Sequence, residues 1–366
     1  MNLERVAMHR RMILGVVVSV LMGPQAGRAG ETIVLVAGGG EGGDGSKADR
    51  ARLVAPFGVA FDRPGRISFV EMTSNKLRAI DRDGTLTTLA GDGEKGDRGD
   101  GGPASGARLN GPHSLAVGPG GDLYITDTWN NRVRKVDERT GSIATVAGTG
   151  EKGYSGDGGP ATRARFGGIY CIAFDPDGSR YALADLDNRR IRAVDLKTGV
   201  VTTIAGDGRR GVPEDGARAK DSPLVDPRAV AIDKAGNVYI LERSGNALHV
   251  VDGTGAIRTV VGDGKAGLVG DGGPGAKARL NGPKHLCIDP AGNVVIADTE
   301  DHAIRLYRPA DGTIVRLAGT GRKGSSGLGG PPTRAELDQP HGVAIGPDGR
   351  LYIADSSNNR ILRVER

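Results

Sequence analysis

Residues 89–146 read LAGDGEKGDRGDGGPASGARLNGPHSLAVGPGGDLYITDTWNNRVRKVDERTGSIATV, and similar stretches follow one another along the whole chain. The equivalent openings fall at residues 36, 89, 146, 204, 260 and 317, so the period is 53 to 58 residues. Self-similarity at a near-fixed period is the signature of a repeat architecture. The fold therefore depends on what one repeat encodes.

Each repeat begins with a glycine-rich loop and continues with short apolar runs. In the quoted stretch these runs cover residues 113–117, 123–126, 133–136 and 142–146, and they are rich in Val, Ile, Leu, Tyr and Thr. Turn-forming residues separate the runs, and no stretch is long and periodic enough for a helix. Four antiparallel strands repeated radially form the blades of a β-propeller. We predict an all-β, six-bladed β-propeller.

The two ends of the chain are predicted to share the last blade. The sixth repeat ends at Arg366 after its third strand, and residues 32–36 match the fourth-strand pattern but precede the first glycine loop. The N-terminal strand 32–36 can therefore close the last blade and leave no open sheet edge for another chain. We expect a monomer whose propeller domain spans residues 30–366, with repeats opening at the six positions given above.

The repeat resembles the NHL repeat in all six units. The matching pieces are PHGVAI at 340–345, GRLYIAD at 349–355 and NNRI at 358–361. The resemblance implies a propeller fold. Because NHL propellers include enzymes, sensors and adhesion or scaffold modules, the resemblance leaves the function open.

The first 29 residues have the layout of a secretory signal peptide. Arg5, Arg10 and Arg11 precede an apolar run over residues 12–22, and small residues around Ala29 offer a cleavage point. The run is shorter than the ~20 residues that a membrane-spanning helix needs. We therefore predict a signal peptide over residues 1–29, no membrane span, and an extracytoplasmic protein, periplasmic or secreted.

The positive net charge does not indicate nucleic acid binding. The chain carries +5, but residues 1–29 contribute four Arg and one Glu, that is +3, which leaves +2 for the rest. The remaining charges are scattered rather than grouped in basic blocks. We expect no nucleic acid partner.

Three recurrent motifs have structural interpretations. GxGxxG in the glycine loops, as at 91–96, is followed by GDGGP and not by the helix that dinucleotide binding requires. The DGGP pieces, as at 100–103, fit a tight turn, with calcium held by Asp and backbone carbonyls as the alternative. The motif formed by Asp127, Asn130 and Arg132 is predicted to close a turn in which Arg pairs with Asp.

The first residues of the first strands are the candidate ligand site. If these strands are innermost, their first residues surround the mouth of the central channel on the glycine-loop face. Structural positions of a repeat converge, whereas the six blades carry five residue types here, and variable polar residues at a mouth indicate binding. The only Trp lies in a nearby turn, where it can stack on a sugar or peptide or pack on the neighbouring loop. The candidate residues are Phe57, His113, Tyr170, Arg228, Lys284, His341 and Trp129.

Two of these residues lie in pieces similar to a known metal site. PHS at 112–114 and PHG at 340–342 are similar to the metal-binding pieces of peptidyl-α-hydroxyglycine α-amidating lyase, a six-bladed NHL propeller. The resemblance implies zinc held by three His on alternate blades, which here are His113, Arg228 and His341. Arg has no lone pair to donate, so the set is incomplete. His113 and His341 remain candidate ligands of a divalent metal.

We predict a binding or interaction module that acts through the glycine-loop face and the channel mouth. Its ligand is expected to be a protein, a peptide or a glycan. Arg228 and Lys284 provide two fixed positive charges, which favour an anionic ligand and disfavour a bare divalent cation. The lack of a complete catalytic set favours a non-enzymatic role, and the alternative is a metal-assisted lyase or lactone hydrolase with its site in the channel.

Overall fold

Six antiparallel sheets surround one axis in the computed structural model, which describes residues 30–62 and 65–366. The six-bladed β-propeller predicted from the repeats is therefore confirmed. The signal peptide predicted for residues 1–29 lies outside the described residues. Within the described part of the chain, no helix has the length and apolar character needed to cross a membrane.

In five of the blades four strands follow one another in chain order, and in the last blade the N-terminal strand is the fourth. Blade 1 consists of β2 (Pro56–Phe61), β3 (Ile67–Glu71), β4 (Lys76–Ile80) and β5 (Leu86–Ala90). Blade 2 consists of β6 (Leu115–Val117), β7 (Leu123–Asp127), β8 (Arg132–Val136) and β9 (Ile143–Ala147). Blade 3 consists of β10 (Ile169–Phe174), β11 (Arg180–Asp185), β12 (Arg190–Asp195) and β13 (Val201–Ala205).

The other three blades follow the same plan with two differences. Blade 4 consists of β14 (Pro227–Ile232), β15 (Val238–Glu242), β16 (Ala247–Val251) and β17 (Ile257–Val261). Blade 5 has a short extra edge strand and consists of β18 (Gly273–Pro274), β19 (His285–Ile288), β20 (Val294–Asp298), β21 (Ala303–Arg308) and β22 (Thr313–Ala318). Blade 6 consists of β23 (Pro340–Ile345), β24 (Leu351–Asp355), β25 (Arg360–Glu365) and β1 (Thr32–Ala37).

Short 3-10 helices occur at two kinds of place in the described residues. One lies in each glycine loop, and the loop helices are Ala48–Arg50, Ala104–Gly106, Ala161–Arg163, Ala219–Asp221, Gly275–Lys277 and Pro332–Arg334. The others lie in the turn between the second and third strands of a blade, and they are Thr128–Asn130, Thr299–Asp301 and Ser356–Asn358. None of them is longer than three residues, so the architecture is set by the sheets.

The N-terminal strand closes the ring, as predicted. β1 pairs antiparallel with β25, with Thr32 opposite Glu365 and Leu35 opposite Leu362. Ile33 is fully buried in the apolar core between blades 5 and 6. Its amide donates to the carbonyl of Gly330 at 3.0 Å, so β1 also holds the glycine loop of its own blade.

The first strand of every blade is the innermost one. β2, β6, β10, β14, β19 and β23 each contact the first strand of the next blade, all the way around the axis. Each of these strands follows a glycine loop, so their first residues lie at the glycine-loop end of the axis. Their last residues lie at the opposite end. This arrangement brings the predicted ring residues to one mouth.

A buried Arg ties the DGGP loop to the third strand in three of the blades. Arg134, Arg192 and Arg305 are fully buried, and Arg134 pairs with Asp100 of the loop at 2.7 Å. The equivalent loop carboxylates, Asp157 and Asp271, pair with their Arg at 2.6 and 2.9 Å. The recurrent loop Asp therefore has an Arg partner, which is an electrostatic reason for its recurrence that the turn interpretation alone did not include.

The predicted Arg–Asp pairing of the turn motif forms in blade 6, where Arg360 is 2.7 Å from Asp355, but it needs a correction in blade 2. Asn130 donates to Asp127 at 2.8 Å, as expected, but Arg132 donates to the carbonyl of Thr149 instead. The partner of Asp127 is Arg134, two residues further on, at 3.5 Å. Arg132 and Arg134 lie on the same face of β8 because side chains alternate along a strand, so the spacing alone does not distinguish them.

Candidate ligand site at the channel mouth

Five of the six predicted ring residues form a continuous chain of contacts. The ring of Phe57 lies 4.1 Å from His341 and 5.2 Å from His113, centroid to centroid. His113 lies 4.7 Å from Tyr170, and the guanidinium carbon of Arg228 lies 4.3 Å from the centre of the Tyr170 ring. The order around the mouth is therefore His341, Phe57, His113, Tyr170 and Arg228. We call these residues together with Lys284 the mouth ring.

Trp129 lies beside the mouth ring and remains half exposed. Its indole is 5.7 Å from the His113 ring, and half of the residue is accessible to solvent. A Cβ built on Gly111 would overlap the indole, and the φ of Gly111 is +57°, so only glycine suits this position. Trp129 thus packs on the neighbouring loop and still offers an exposed aromatic surface to a ligand.

Lys284, the sixth member of the ring, is held by a carboxylate. Its Nζ is 2.7 Å from Oε1 of Glu300, and Oε2 of Glu300 accepts a hydrogen bond from the Gln339 side chain at 2.9 Å. Gln339 has a φ of +46°, a conformation that is uncommon for a residue other than glycine. The positive charge of Lys284 is therefore compensated, which was not expected from the sequence.

Arg228 has no such partner. The side chain is only 4% exposed, and Nη1 donates a long hydrogen bond of 3.4 Å to the carbonyl of Tyr170. Among residues 30–62 and 65–366, no carboxylate comes within ion-pair distance of it. Burial lowers the pKa of Arg228 to about 10, which still leaves the guanidinium charged at neutral pH. Its neighbour Arg243, by contrast, pairs with Asp226 at 2.9 Å.

The two histidines of the ring are neutral and present an acceptor. Nδ1 of His113 is 2.7 Å from the Gly111 carbonyl, and Nδ1 of His341 is 2.7 Å from the Gln339 carbonyl. A carbonyl only accepts, so each Nδ1 carries the hydrogen and each Nε2 keeps a lone pair. Burial, with the charge of Arg228 added, lowers the pKa of His113 to about 3. Burial together with Lys284 and Arg228 holds the pKa of His341 well below its usual range.

A second ring of residues lies directly below the mouth ring and is buried throughout. We call it the floor ring. A Cβ on Gly58 would lie 3.0 Å from the Ser114 Cα, and one on Gly342 would lie 3.0 Å from the Gly58 nitrogen, so neighbouring strands approach closely here. The mouth therefore opens to the glycine-loop face above a buried layer. The floor ring consists of Gly58, Ser114, Cys171, Ala229, His285 and Gly342.

The donor set at the mouth does not fit a divalent metal. No group of three or more His, Cys, Asp or Glu side chains in the described residues is placed to hold a metal ion. His113 and His341 have Arg228 at the third alternate blade, and the charged Arg228 repels a cation. His285 does not replace it, because the residue is buried and its Nδ1 accepts from the Val343 amide at 3.4 Å.

The opposite end of the axis also has a cavity, whose lining is mainly apolar. Its volume is about 910 Å³, and its walls include the apolar ends of the innermost strands and prolines of the following turns. Asp233 and Asp289 line it, but each carboxylate accepts hydrogen bonds from the backbone of its own turn. We therefore place the candidate chemistry at the mouth ring, where unpaired polar groups converge.

Comparison with known proteins supports the repeat assignment. Residues 109–136 and 337–363 match the family described as NHL repeat, and residues 29–97 match the Teneurin NHL domain. NHL repeat-containing protein 2 of Gallus gallus is 26% identical over 342 residues, which cover 84% of this chain and 46% of that protein. The chain spans between 10% and 46% of the length of the first curated relatives that it matches.

Solved structures show the same architecture at low sequence identity. An auxiliary nutrient binding protein from Bacteroides thetaiotaomicron has a TM-score of 0.66 and 16% identity, over 92% of this chain and 76% of that one. A putative gluconolactonase has a TM-score of 0.58 and 14% identity, over 92% and 93% of the two chains. These likenesses concern the fold alone. The repeat matches and the six blades together support the assignment of this chain to the NHL repeat family.

Proposed function

We propose that this protein is a binding module that holds an anionic ligand at the mouth ring. The proposal depends on the burial of Arg228 without an acidic partner. The residue is 4% exposed, and no carboxylate lies within ion-pair distance of it in the described part of the chain. A buried charge without a partner is costly, and an anion in the mouth would offset that cost. Arg can hold a carboxylate or phosphate through two parallel hydrogen bonds.

The alternative, a metal-assisted lyase or lactone hydrolase, has less support. It depends on His113 and His341, to which the described residues add no third metal ligand. Proteins with this fold include one named as a nutrient binding protein and one named as a putative gluconolactonase, so the fold does not separate the two classes. We place the module outside the cytoplasm on the strength of the predicted signal peptide.

Benzoate and benzamide test the proposal, because the two have similar shapes and only benzoate is an anion. Calorimetric titration should show benzoate binding about 10- to 100-fold more tightly, since a charge-assisted hydrogen bond contributes about 1.5–3 kcal/mol. Arg228→Gln should abolish the difference. Arg139→Gln, at an exposed turn on the opposite face, should leave it unchanged.

Two outcomes would overturn the binding proposal. Equal affinity for benzoate and benzamide in the wild type would show that charge does not govern the mouth. Tight zinc binding by the wild type, with no anion present, would favour the enzymatic alternative, because a site with fixed positive charge should bind a bare cation weakly.

A further inference from the structure

We propose that the ligand of the mouth ring is a uronate, a pyranose sugar that carries one carboxylate and several hydroxyl groups. This inference rests on the proposed function and specifies its ligand. It follows from the net charge of the mouth, the acceptors that its histidines present and the aromatic surface beside it. Each of these features excludes a different group of anions.

The charges at the mouth add up to one uncompensated positive charge. Lys284 is paired with Glu300 at 2.7 Å and Arg243 with Asp226 at 2.9 Å. Arg228 remains, and it matches one negative charge. A phosphate dianion would bring a second negative charge close to Glu300, where like charges repel. The charge balance therefore favours a monoanion, and a carboxylate fits the planar guanidinium.

The histidines require hydrogen-bond donors on the ligand. With both Nδ1 atoms bound to backbone carbonyls at 2.7 Å, Nε2 of His113 and Nε2 of His341 are acceptors. In the described residues, no protein group donates to either atom. Hydroxyl groups of the ligand would satisfy them, whereas an alkyl or aryl carboxylate would leave both acceptors desolvated without a partner. An ammonium donor is disfavoured because it would lie close to Arg228 and Lys284.

The aromatic surface favours a ring-shaped ligand. Trp129 is half exposed beside His113, and the partly buried Tyr170 also packs against His113. The C–H face of a pyranose packs on an indole, while its hydroxyl edge remains free for polar contacts. Because the floor ring below is buried, the ligand enters from the glycine-loop face with its carboxylate toward Arg228.

Three probes separate the parts of this proposal. Methyl β-D-glucuronide has the ring, the hydroxyls and the carboxylate; methyl β-D-glucoside lacks the carboxylate; cyclohexanecarboxylate lacks the hydroxyls. Calorimetric titration should show the glucuronide binding at least about 10-fold more tightly than either of the others, the equivalent of one charged or two neutral hydrogen bonds. Trp129→Ala should weaken both sugars by about 10-fold.

Two variants test which residue binds the carboxylate of the ligand and which binds its hydroxyl groups. Arg228→Gln should reduce glucuronide affinity to that of the glucoside. His341→Phe keeps a ring against Phe57 but removes the acceptor, so it should weaken the glucuronide about 10-fold. Cyclohexanecarboxylate should bind the variant at least as tightly as the wild type, because the variant has one acceptor fewer to desolvate. Thermal unfolding establishes that each variant is folded, and His113→Phe takes the place of His341→Phe if the latter is not.

The outcomes distinguish this inference from the proposed function. Equal binding of cyclohexanecarboxylate and glucuronide would overturn the uronate and leave an anion-binding module in place. The uronate is also overturned if His341→Phe and His113→Phe both bind the glucuronide as the wild type does. If neither benzoate, nor cyclohexanecarboxylate, nor the glucuronide binds, the proposed function fails and the uronate fails with it.

Discussion

At the scale of single residues, equivalent positions in successive repeats were enough to predict which residues meet in the mouth ring. His113, Tyr170 and Arg228 come from different blades and contact in series, as their equivalent positions predict. The partner of Lys284 was missed because Glu300 lies in another turn of the same blade. Glu300 and Trp129 both follow the buried Asp of the second strand by two residues, so a comparison of that position across blades would have found it.

The positive charges of the mouth ring lead to a prediction about the pKa values of its two histidines. After burial, the charge of Arg228 contributes most to the lowered pKa of His113, and the charge of Lys284 contributes most to that of His341. Arg228→Gln should therefore raise the pKa of His113 more than Lys284→Gln does, and the order should reverse for His341. Titration of the imidazole resonances by NMR measures both. A uniform response of the two histidines would contradict this assignment of charges.

At the scale of elements, the second strand of every blade ends in a buried acidic residue. In blade 4 this residue faces a histidine and not an arginine. In blade 1, Glu71 pairs with Arg78 at 3.0 Å. In blade 4 the Arg position holds His249, whose Nε2 is 3.9 Å from Glu242. Burial raises the pKa of Glu242 to about 8 and lowers that of His249 to about 4, so both are uncharged at neutral pH. The sequence predicted the recurrent acid, but its protonation depends on burial.

Substitution by Gln is therefore expected to affect stability differently at Glu242 and at Glu71. The folded-state pKa of Glu242 is above the ordinary 4.5, so its proton stabilises the fold fully below pH 4.5 and that contribution is lost as pH rises through about 8. The free energy of unfolding of the wild type should fall relative to Glu242→Gln over this window, by at most about 1.4 kcal/mol per pH unit. Urea unfolding between pH 5 and pH 9 measures the difference.

Glu71→Gln is the matched control for that prediction. It removes the buried carboxylate that Arg78 faces and should cost about 1.5–3 kcal/mol at neutral pH, because Arg78 loses a charged hydrogen bond and keeps only its pair with the half-exposed Asp44 at 2.6 Å. Glu242→Gln at pH 6 should cost much less, since a neutral amide replaces a neutral acid. Equal losses in the two variants, or a difference that does not vary with pH, would show that Glu242 is ionised in the folded protein.

At the scale of the whole molecule, the count of blades followed from the six repeats, and the closure followed from the sixth repeat, which lacks a fourth strand. The packing of the innermost strands around the axis could not be predicted from the sequence. The close approach at Gly58 and Gly342 depends on how six strands meet in space, and the spacing of glycines along the chain does not encode that contact. The apolar cavity at the far end depends in the same way on residues from several blades.

Closure also makes the stability of the ring depend on its first strand. Deleting residues 32–36 would expose the edge of β25 and remove Ile33, which is fully buried, from the core between blades 5 and 6. Ile33→Ala alone should cost about 2–5 kcal/mol, and the deletion should cost more and promote aggregation through the free edge. Val34→Ala, at a half-buried neighbour, should cost clearly less than Ile33→Ala. Thermal unfolding with light scattering measures both effects, and a deletion variant with the melting temperature of the wild type would mean that β1 does not hold the two ends of the propeller together.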